Sequence, residues 1–137
     1  MRHFLTLIKV RITGLVTLTA MGGYGLAPNP EWGFAFFKLT LGVFLITAGA
    51  SAVNMFLERR TDALMNRTRN RPLPLHILSP ATALALGSGL SVSGLLALLS
   101  IGPVPAGIAA LSWALYILVY TPLKARTSLN TVVGAIP

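Results

Sequence analysis

The chain has 137 residues, of which 54% are hydrophobic and only 10% are charged, whereas soluble globular domains carry about 25% charged residues. A soluble domain of this size must cover a large surface with polar groups. The mean hydropathy of +0.74 therefore excludes an ordinary soluble domain and predicts an integral membrane protein. The same composition excludes intrinsic disorder. Because the chain has no cysteine, a disulfide framework and a thiolate metal site are excluded as well.

Four hydrophobic segments are predicted to cross the membrane. They cover about residues 4–26, 32–57, 80–101 and 106–121, and a fifth begins at residue 129 and runs to 137. The spans are predicted to be helices because an open sheet edge cannot lie in lipid. A helix needs about 20 residues to cross, so the uncharged stretch 72–123 holds two spans. Its strongest breaker, at 102–105, marks the turn between them.

The net charge of +8 is distributed unevenly over these spans. Ten of the eleven Lys and Arg residues precede the first span, lie in its first turns, or follow the second or fourth span, and Lys38 is the exception. Positive residues concentrate on the cytoplasmic side of membrane proteins. We therefore expect a multi-pass protein of the bacterial inner membrane with a cytoplasmic N-terminus. Topology explains the basic composition, so we expect the lipid bilayer, and not nucleic acid, as its partner.

The segment after the second span carries the candidate chemistry. Asn54, Glu58 and Asp62 are four residues apart, so they share one face if the helix continues through them. Oxygen-bearing side chains suit Mg²⁺, which commonly bridges one or two carboxylates to substrate phosphates. Arg67 and Arg71 follow, and guanidinium groups bind phosphate oxygens in a bidentate manner. The spacing therefore predicts a magnesium–diphosphate site at the membrane boundary.

A purely structural interpretation of the same segment stays open at this point. Arginines after a membrane span commonly serve only to orient it. Glu58 and Asp62 can then pair with these arginines as surface ion pairs, which contribute about 0–1 kcal/mol each.

The amino-acid sequence of this segment resembles a known motif. The Asn-x-x-x-Glu-x-x-x-Asp pattern, followed by Met-Asn-Arg-Thr-Arg-Asn-Arg-Pro-Leu-Pro at residues 65–74, resembles the first aspartate-rich motif of the UbiA superfamily of membrane prenyltransferases. Within it, the continuation is similar to that of the protoheme IX farnesyltransferases, the haem O synthases. Residues 7–13 resemble the opening Lys-Pro-Arg-Ile-Thr element of that family, and residues 120–127 resemble its Tyr-Thr-x-Leu-Lys-Arg-Thr element.

The resemblance implies a fold and a reaction. The expected fold is an all-α membrane bundle, with four transmembrane helices and the start of a fifth as part of a nine-helix UbiA-type domain. The expected reaction transfers farnesyl from farnesyl diphosphate to the vinyl group of haem B, with Mg²⁺ as cofactor. The same resemblance suggests association with haem A synthase or terminal oxidase assembly. Members are about twice as long, so residues 1–137 are expected to be the N-terminal part of such a domain and to be inactive alone.

The resemblance also assigns roles to individual residues. It implies that Asn54, Glu58 and Asp62 are catalytic and hold Mg²⁺. The diphosphate ligands that it implies are Arg67, Arg71, Lys124, Tyr120, Lys9 and Arg11. Interfacial anchoring is an equal alternative for Lys9 and Arg11, and a place in the aromatic belt is the alternative for Tyr120.

The chain departs from the family pattern at several positions. Val10 replaces the usual proline, and Arg60 lies where many members carry another acid. The chain has no acid after Asp62, whereas the second aspartate-rich motif of the family lies in the second half of its members. Two other functions therefore remain open: a UbiA-type prenyltransferase for another acceptor, such as a quinone precursor or chlorophyllide, and a small non-catalytic membrane protein.

Overall fold

The computed structural model describes residues 2–66 and 68–124, and every regular element in these two ranges is a helix. The elements in chain order are α1 (Arg2–Leu7), α2 (Val10–Gly25), α3 (Phe34–Leu64), α4 (Pro80–Leu99), α5 (Pro103–Ala114), a π-helical segment (Leu115–Tyr120) and α6 (Thr121–Lys124). Within the described residues, three stretches are long and apolar enough to cross a membrane: Phe34–Leu64, Pro80–Leu99 and Pro103–Leu123. The predicted all-helical class is confirmed, and the predicted start of a fifth span lies outside the described residues.

The first predicted span is not one continuous helix. The chain leaves the helical conformation at Ile8 and Lys9, and α2 has 16 residues, fewer than the roughly 20 needed to cross alone. Lys9 has a φ of 47°, in the left-handed region that residues with a Cβ rarely adopt. Thr13 Oγ1 donates to the Ile8 carbonyl oxygen at 2.6 Å and so satisfies a backbone group beside the break. The prediction of a single helix over residues 4–26 is therefore wrong at Lys9.

Helix α3 is the centre of the bundle and contacts every other helix. It packs closely against the antiparallel α4 through glycines at matching positions. A Cβ added to Gly94 would lie 2.5 Å from the Ile46 nitrogen and 2.7 Å from the Gly42 carbonyl oxygen. One added to Gly49 would lie 2.6 Å from the Gly87 carbonyl oxygen. The two backbones approach where side chains are absent, as is usual between membrane helices.

The loop between α3 and α4 folds back against the end of the bundle. Leu73 is 3% exposed and anchors the loop in a buried cluster with Leu7, Ala52, Met55 and Ala83. At the end of the loop, Ser79 caps α4 by accepting a bond from the Thr82 amide at 3.0 Å, and Pro80 occupies the first turn, where its missing N–H costs nothing. The loop is thereby held close to the C-terminal end of α3.

The predicted turn between the last two helices is confirmed, since α4 ends at Leu99 and α5 begins at Pro103. After Ala114, helix α5 continues as the π-helical segment, which ends directly before Thr121 and Pro122. Proline lacks an N–H, and its ring crowds the carbonyl of the preceding turn. The wider π turn accommodates that ring, and π-helical turns are frequent at functional sites.

Candidate functional site

The candidate site is built on the last turns of α3. The helix continues to Leu64, so Asn54, Glu58 and Asp62 lie along one face, as the four-residue spacing requires. They are 1%, 8% and 3% exposed. Since both carboxylates are buried, the interpretation of Glu58 and Asp62 as solvated surface ion pairs is wrong.

Arg71 joins the two carboxylates. Its Nη1 donates to Asp62 Oδ2 at 2.6 Å and lies 3.7 Å from Glu58 Oε2. Asn54 Nδ2 donates to Glu58 Oε2 at 3.1 Å. The result is a row in which these contacts join a buried amide, two buried carboxylates and a partly exposed guanidinium. Hydrogen bonds between ionised groups are about twice as strong as neutral ones, so this row is a rigid part of the molecule.

The loop after α3 brings Arg71 to this place. Thr68 is buried, and its Oγ1 donates to the Asp62 carbonyl oxygen at 3.0 Å. This bond satisfies one of the carbonyl groups left open at the end of a helix. With Leu73 buried on the far side of Arg71, the intervening backbone is fixed at both ends. Sequence position alone places Arg71 nine residues beyond Asp62, and the folded loop closes that separation.

A cavity of about 1170 Å³ opens between α2, α3 and α5 beside this row. The lining at the end of the cavity next to the row is polar and basic, and it includes Lys9, Arg11, Asn54, Arg71, Tyr116 and Tyr120. Toward the opposite end of the same helices the lining is apolar, and it includes Val16, Val43, Ile46, Leu98, Ile108 and Trp113. The cavity therefore suits an elongated ligand with an anionic head and a hydrocarbon tail.

Two tyrosines and a lysine complete the polar end. The rings of Tyr116 and Tyr120 stack with centroids 5.6 Å apart and an interplanar angle of 16°. Lys9 Nζ donates to Tyr116 Oη at 3.4 Å. The break at Lys9 between α1 and α2 thus allows the ammonium group to reach the far helix, and Arg11, two residues further on, lines the same cavity.

Asn54 is also held from the last helix. Thr121 Oγ1 lies 2.8 Å from Asn54 Oδ1 and donates to it. Both residues are buried, at 8% and 1% exposure. Because the amide oxygen accepts from Thr121 and the amide nitrogen donates to Glu58, both polar atoms of Asn54 are used inside the protein.

Comparison with known proteins identifies the family. The model of the UbiA prenyltransferase family matches residues 15–137, which is most of the chain. The chain belongs to this family. No solved structure matches the chain.

Curated relatives of this UbiA chain carry a common name. The protoheme IX farnesyltransferase of Geobacter sulfurreducens is 45% identical over 98% of this chain and 50% of the relative. The protoheme IX farnesyltransferase of an Anaeromyxobacter species is 40% identical over 99% of this chain and 46% of the relative. The mitochondrial protoheme IX farnesyltransferase of Pyricularia oryzae is 39% identical over 96% of this chain and 26% of the relative. The chain spans about half the length, or less, of these relatives.

The structure brings most of the site residues predicted for this UbiA chain to one end of the bundle. Lys9, Arg11, Asn54, Arg71 and Tyr120 line one cavity. The two predicted metal-binding carboxylates are absent from the lining and lie behind Arg71, which contacts both. Two of the predicted diphosphate ligands, Arg67 and the side chain of Lys124, lie outside the described part of the structure.

The donor set fits a divalent metal such as Mg²⁺. Among residues 2–66 and 68–124, no group of three His, Cys, Asp or Glu side chains is gathered for a metal. Mg²⁺ does not require one, since it is commonly held by one or two carboxylates together with waters and substrate phosphates. Glu58 and Asp62 supply two such carboxylates, and their oxygens Oε2 and Oδ2 face one common point, which Arg71 Nη1 occupies in this conformation. The prediction that Asn54 is a third ligand stays a prediction, and in this conformation its oxygen accepts from Thr121.

Sequence reasoning missed three residues of the site. Tyr116, Thr68 and Thr121 each make one of the contacts described above. Tyr116 lies four residues before Tyr120, so helical periodicity signals that both tyrosines share a face. Thr121 lies within the Tyr-Thr-Pro-Leu-Lys run. The partner of Thr121 lies 67 residues away in the chain, and no local pattern indicates it.

Proposed function

We propose that this chain forms part of a membrane prenyltransferase that transfers the farnesyl group of farnesyl diphosphate to the vinyl group of haem B, giving haem O. The cavity is the observation that carries the proposal. It combines a basic end beside two buried carboxylates with a long apolar wall. The names of the relatives supply the substrate pair, because an apolar cavity by itself does not distinguish one prenyl acceptor from another.

The basic end is the proposed diphosphate site. Arg71, Lys9 and Arg11 all line it and supply donors and positive charge for phosphate oxygens. Tyr116 and Tyr120 add two hydroxyl groups from the facing helix. We propose that Arg67 and Lys124 join this set, since both belong to the segments that border the cavity.

Glu58 and Asp62 are the proposed metal ligands. A bound Mg²⁺ supplies positive charge that stabilises the departing diphosphate. The chain's own contribution is to hold both carboxylates against a cationic side chain. That side chain is Arg71, through its contacts of 2.6 Å with Asp62 and 3.7 Å with Glu58. Asn54 adds a hydrogen bond to Glu58, which fixes the orientation of that carboxylate.

The apolar wall is proposed to hold the hydrocarbon chain and to keep water from the reactive carbon. In the reaction, the bond between farnesyl C1 and the diphosphate oxygen breaks, and its electron pair leaves with the diphosphate. The π electrons of the haem vinyl group form the new carbon–carbon bond. The positive charge left on the porphyrin side is discharged by addition of water and release of a proton. Water that reached C1 first would hydrolyse the diphosphate, so its exclusion there favours transfer.

The proposed topology follows from the charge distribution. Three segments of the described part of the chain have the length and hydropathy of membrane spans, and we propose that the broken pair α1 and α2 makes a further crossing. The N-terminus and the loop between α3 and α4 are then cytoplasmic, in a bacterial inner membrane. The farnesyl chain of haem O keeps the product in the membrane, which supports the proposed association with haem A synthase or terminal oxidase assembly.

A substrate screen tests the proposal. The protein as encoded by its gene is expressed in a bacterial host that lacks its own haem O synthesis. Its membranes then receive labelled farnesyl diphosphate and Mg²⁺ with either haem B or a quinone-ring precursor. We expect the label in haem O only, as measured by chromatography of the extracted haems. Label in the quinone product only would indicate another UbiA acceptor, and no label in either product would contradict the enzymatic proposal.

A further inference from the structure

We infer that Thr121 is a positioning residue, which acts through Asn54 to orient the Glu58 carboxylate of the proposed metal–diphosphate site. This inference rests on the proposed function of that site. It is carried by a series of buried hydrogen bonds that links the last described helix to the carboxylates on α3.

The first step is the orientation of the Asn54 amide. Asn54 Nδ2 lies 3.1 Å from Glu58 Oε2, and a carboxylate can only accept. The amide nitrogen must therefore face Glu58, because the reverse orientation would bring two acceptors together. The amide oxygen then faces Thr121 Oγ1 at 2.8 Å.

The second step is the direction of the Thr121 hydroxyl proton. Its Oγ1 lies 2.8 Å from Asn54 Oδ1 and also 2.8 Å from the Tyr116 carbonyl oxygen. The Tyr116 carbonyl already accepts the backbone N–H of Thr121. Asn54 Oδ1 is buried, and Thr121 is the donor that the described part of the chain provides for it. Leaving a buried acceptor without a donor costs free energy, so the proton points to Asn54.

The third step is the placement of Thr121 itself. It follows directly after the π-helical segment Leu115–Tyr120, in which each turn holds more residues than an α-helical turn. That extra width brings Thr121 onto the same side as Tyr116, whose carbonyl accepts both its N–H and its hydroxyl group. The π turn before Pro122 therefore directs the Thr121 side chain toward α3.

The consequence is a preformed carboxylate. The amide oxygen of Asn54 accepts from Thr121, and its amide nitrogen donates to Glu58. Fixing the oxygen therefore also fixes the nitrogen that holds Glu58. Groups that orient metal ligands are typically worth about 10- to 100-fold in metal affinity or activity. Thr121 acts at one remove from the ligand, and we expect the lower end of this range.

The test compares Thr121→Ala with Thr121→Ser in the full-length gene product. Both variants lose the γ-methyl group, so they differ only in the hydroxyl. Binding of Mn²⁺ in the presence of inorganic diphosphate is measured by electron paramagnetic resonance. We expect about a tenfold weaker affinity for Thr121→Ala and nearly the wild-type affinity for Thr121→Ser. Equal affinities for the two variants would overturn the inference.

Three further variants make the result specific. Thr17→Ala is the matched control and should bind Mn²⁺ normally. Thr17 is 7% exposed, and its hydroxyl donates at 2.8 Å to the Thr13 carbonyl oxygen, away from the site. Adding Thr121→Ala to Asn54→Ala should cause no additional loss, and an additive loss would contradict action through Asn54. Thr121→Val, which keeps the volume, repeats the comparison if thermal unfolding shows that the alanine variant is destabilised.

Asp62→Asn separates this inference from the proposed function. If Asp62→Asn leaves Mn²⁺ binding unchanged, the proposed metal site is wrong, and the positioning role falls with it. If Asp62→Asn removes binding while Thr121→Ala and Thr121→Ser both bind like the wild type, only the positioning role is wrong.

Discussion

Asp62 combines two contacts that act on different parts of the site. Its side chain accepts a bond from Arg71, and its backbone carbonyl accepts one from Thr68. The charges of Asp62, Glu58 and Arg71 sum to one net negative charge in a buried location. Removing one partner of a buried ion pair costs about 3–5 kcal/mol, so these contacts stabilise the loop as well as the chemistry. The residual negative charge favours an additional cation there.

We predict that Asp62→Asn in the full-length protein lowers kcat by roughly a hundred- to a thousandfold, the usual loss when one preorganised electrostatic contact to the transition state is removed. Asparagine keeps the shape of aspartate and can still accept from Arg71. The change therefore removes the formal charge that binds the metal more than it removes the packing. Turnover is measured across a range of Mg²⁺ concentrations, and thermal unfolding confirms that the variant is folded.

Glu31→Gln is the control for Asp62→Asn. Glu31 is one of the three acids in the chain, and it is exposed before the start of α3, at the opposite end of that helix from Asp62. Its loss should leave turnover unchanged. Near-normal turnover of folded Asp62→Asn would limit the role of Asp62 to holding Arg71 and the loop.

The residues of the site differ in how far the sequence predicts them. The four-residue spacing of Asn54, Glu58 and Asp62 is a local pattern, and it correctly predicted their shared helix face. The contacts of Arg71 and Thr121 depend on how a loop and a distant helix pack on α3, so no local pattern contains them. The interpretation of the acids as surface pairs failed for the same reason, because burial depends on the neighbouring elements.

At the level of elements, the packing of α3 on α4 decides how firmly the site is supported. The contact uses Gly42 and Gly49 on one helix and Gly87 and Gly94 on the other. Each pair is seven residues apart, which is two helical turns, so both helices present their glycines along one stripe. Without a hydrophobic driving force between helices in lipid, such close packing is a main source of association.

We predict that Gly94→Ala destabilises the bundle by about 1–3 kcal/mol, the usual cost of overpacking. Its Cβ would meet the Ile46 nitrogen at 2.5 Å and the Gly42 oxygen at 2.7 Å. Both are backbone atoms, so a change of rotamer cannot relieve the clash. The free energy of unfolding is measured by titration with sodium dodecyl sulfate in mixed micelles.

Gly89→Ala is the matched control for this prediction. A Cβ at Gly89 would have no atom within 4 Å, although Gly89 lies on the same helix as Gly94. We expect the control to unfold like the wild type or to be slightly more stable, since alanine favours a helix more than glycine does. Equal destabilisation by the two substitutions would contradict the prediction, because it would show that the close contact at Gly94 does not decide the result.

The sequence predicts that these elements are helices, but it does not predict which face of each helix is packed or where a helix is broken. Glycine content alone does not separate Gly87 and Gly94 from Gly89, because the face of α4 that meets α3 is set by the fold. Hydropathy likewise predicted one continuous helix over about residues 4–26. It cannot detect the break at Lys9, where a left-handed residue and a bond from Thr13 replace regular helical hydrogen bonds.

For the whole molecule, the decisive feature is the unequal charge of its two ends. The cationic residues Lys9, Arg11 and Arg71 line the end of the cavity that holds the carboxylate row, whereas Lys38 lies near the N-terminal end of α3. Positive residues remain on the cytoplasmic side of a membrane. In the proposed topology, these charges orient the protein and attract an anionic head group, so the proposed diphosphate site faces the cytoplasm.

We predict that single cysteines introduced at Asn66 and Pro103 label from opposite sides of the membrane. Both residues are exposed, and α4 between them has 20 residues, or about 30 Å at 1.5 Å per residue, enough to cross the hydrocarbon core. The chain has no cysteine of its own, so the unsubstituted protein is the blank. An impermeant maleimide should reach Pro103→Cys in intact cells and Asn66→Cys only in inverted vesicles. His3→Cys, at an exposed residue, tests the broken first segment: it should label with Asn66→Cys if α1 and α2 complete a crossing, and with Pro103→Cys if they do not. Labelling of Asn66→Cys and Pro103→Cys from one side would contradict the crossing by α4, and with it the placement of the basic end in the cytoplasm.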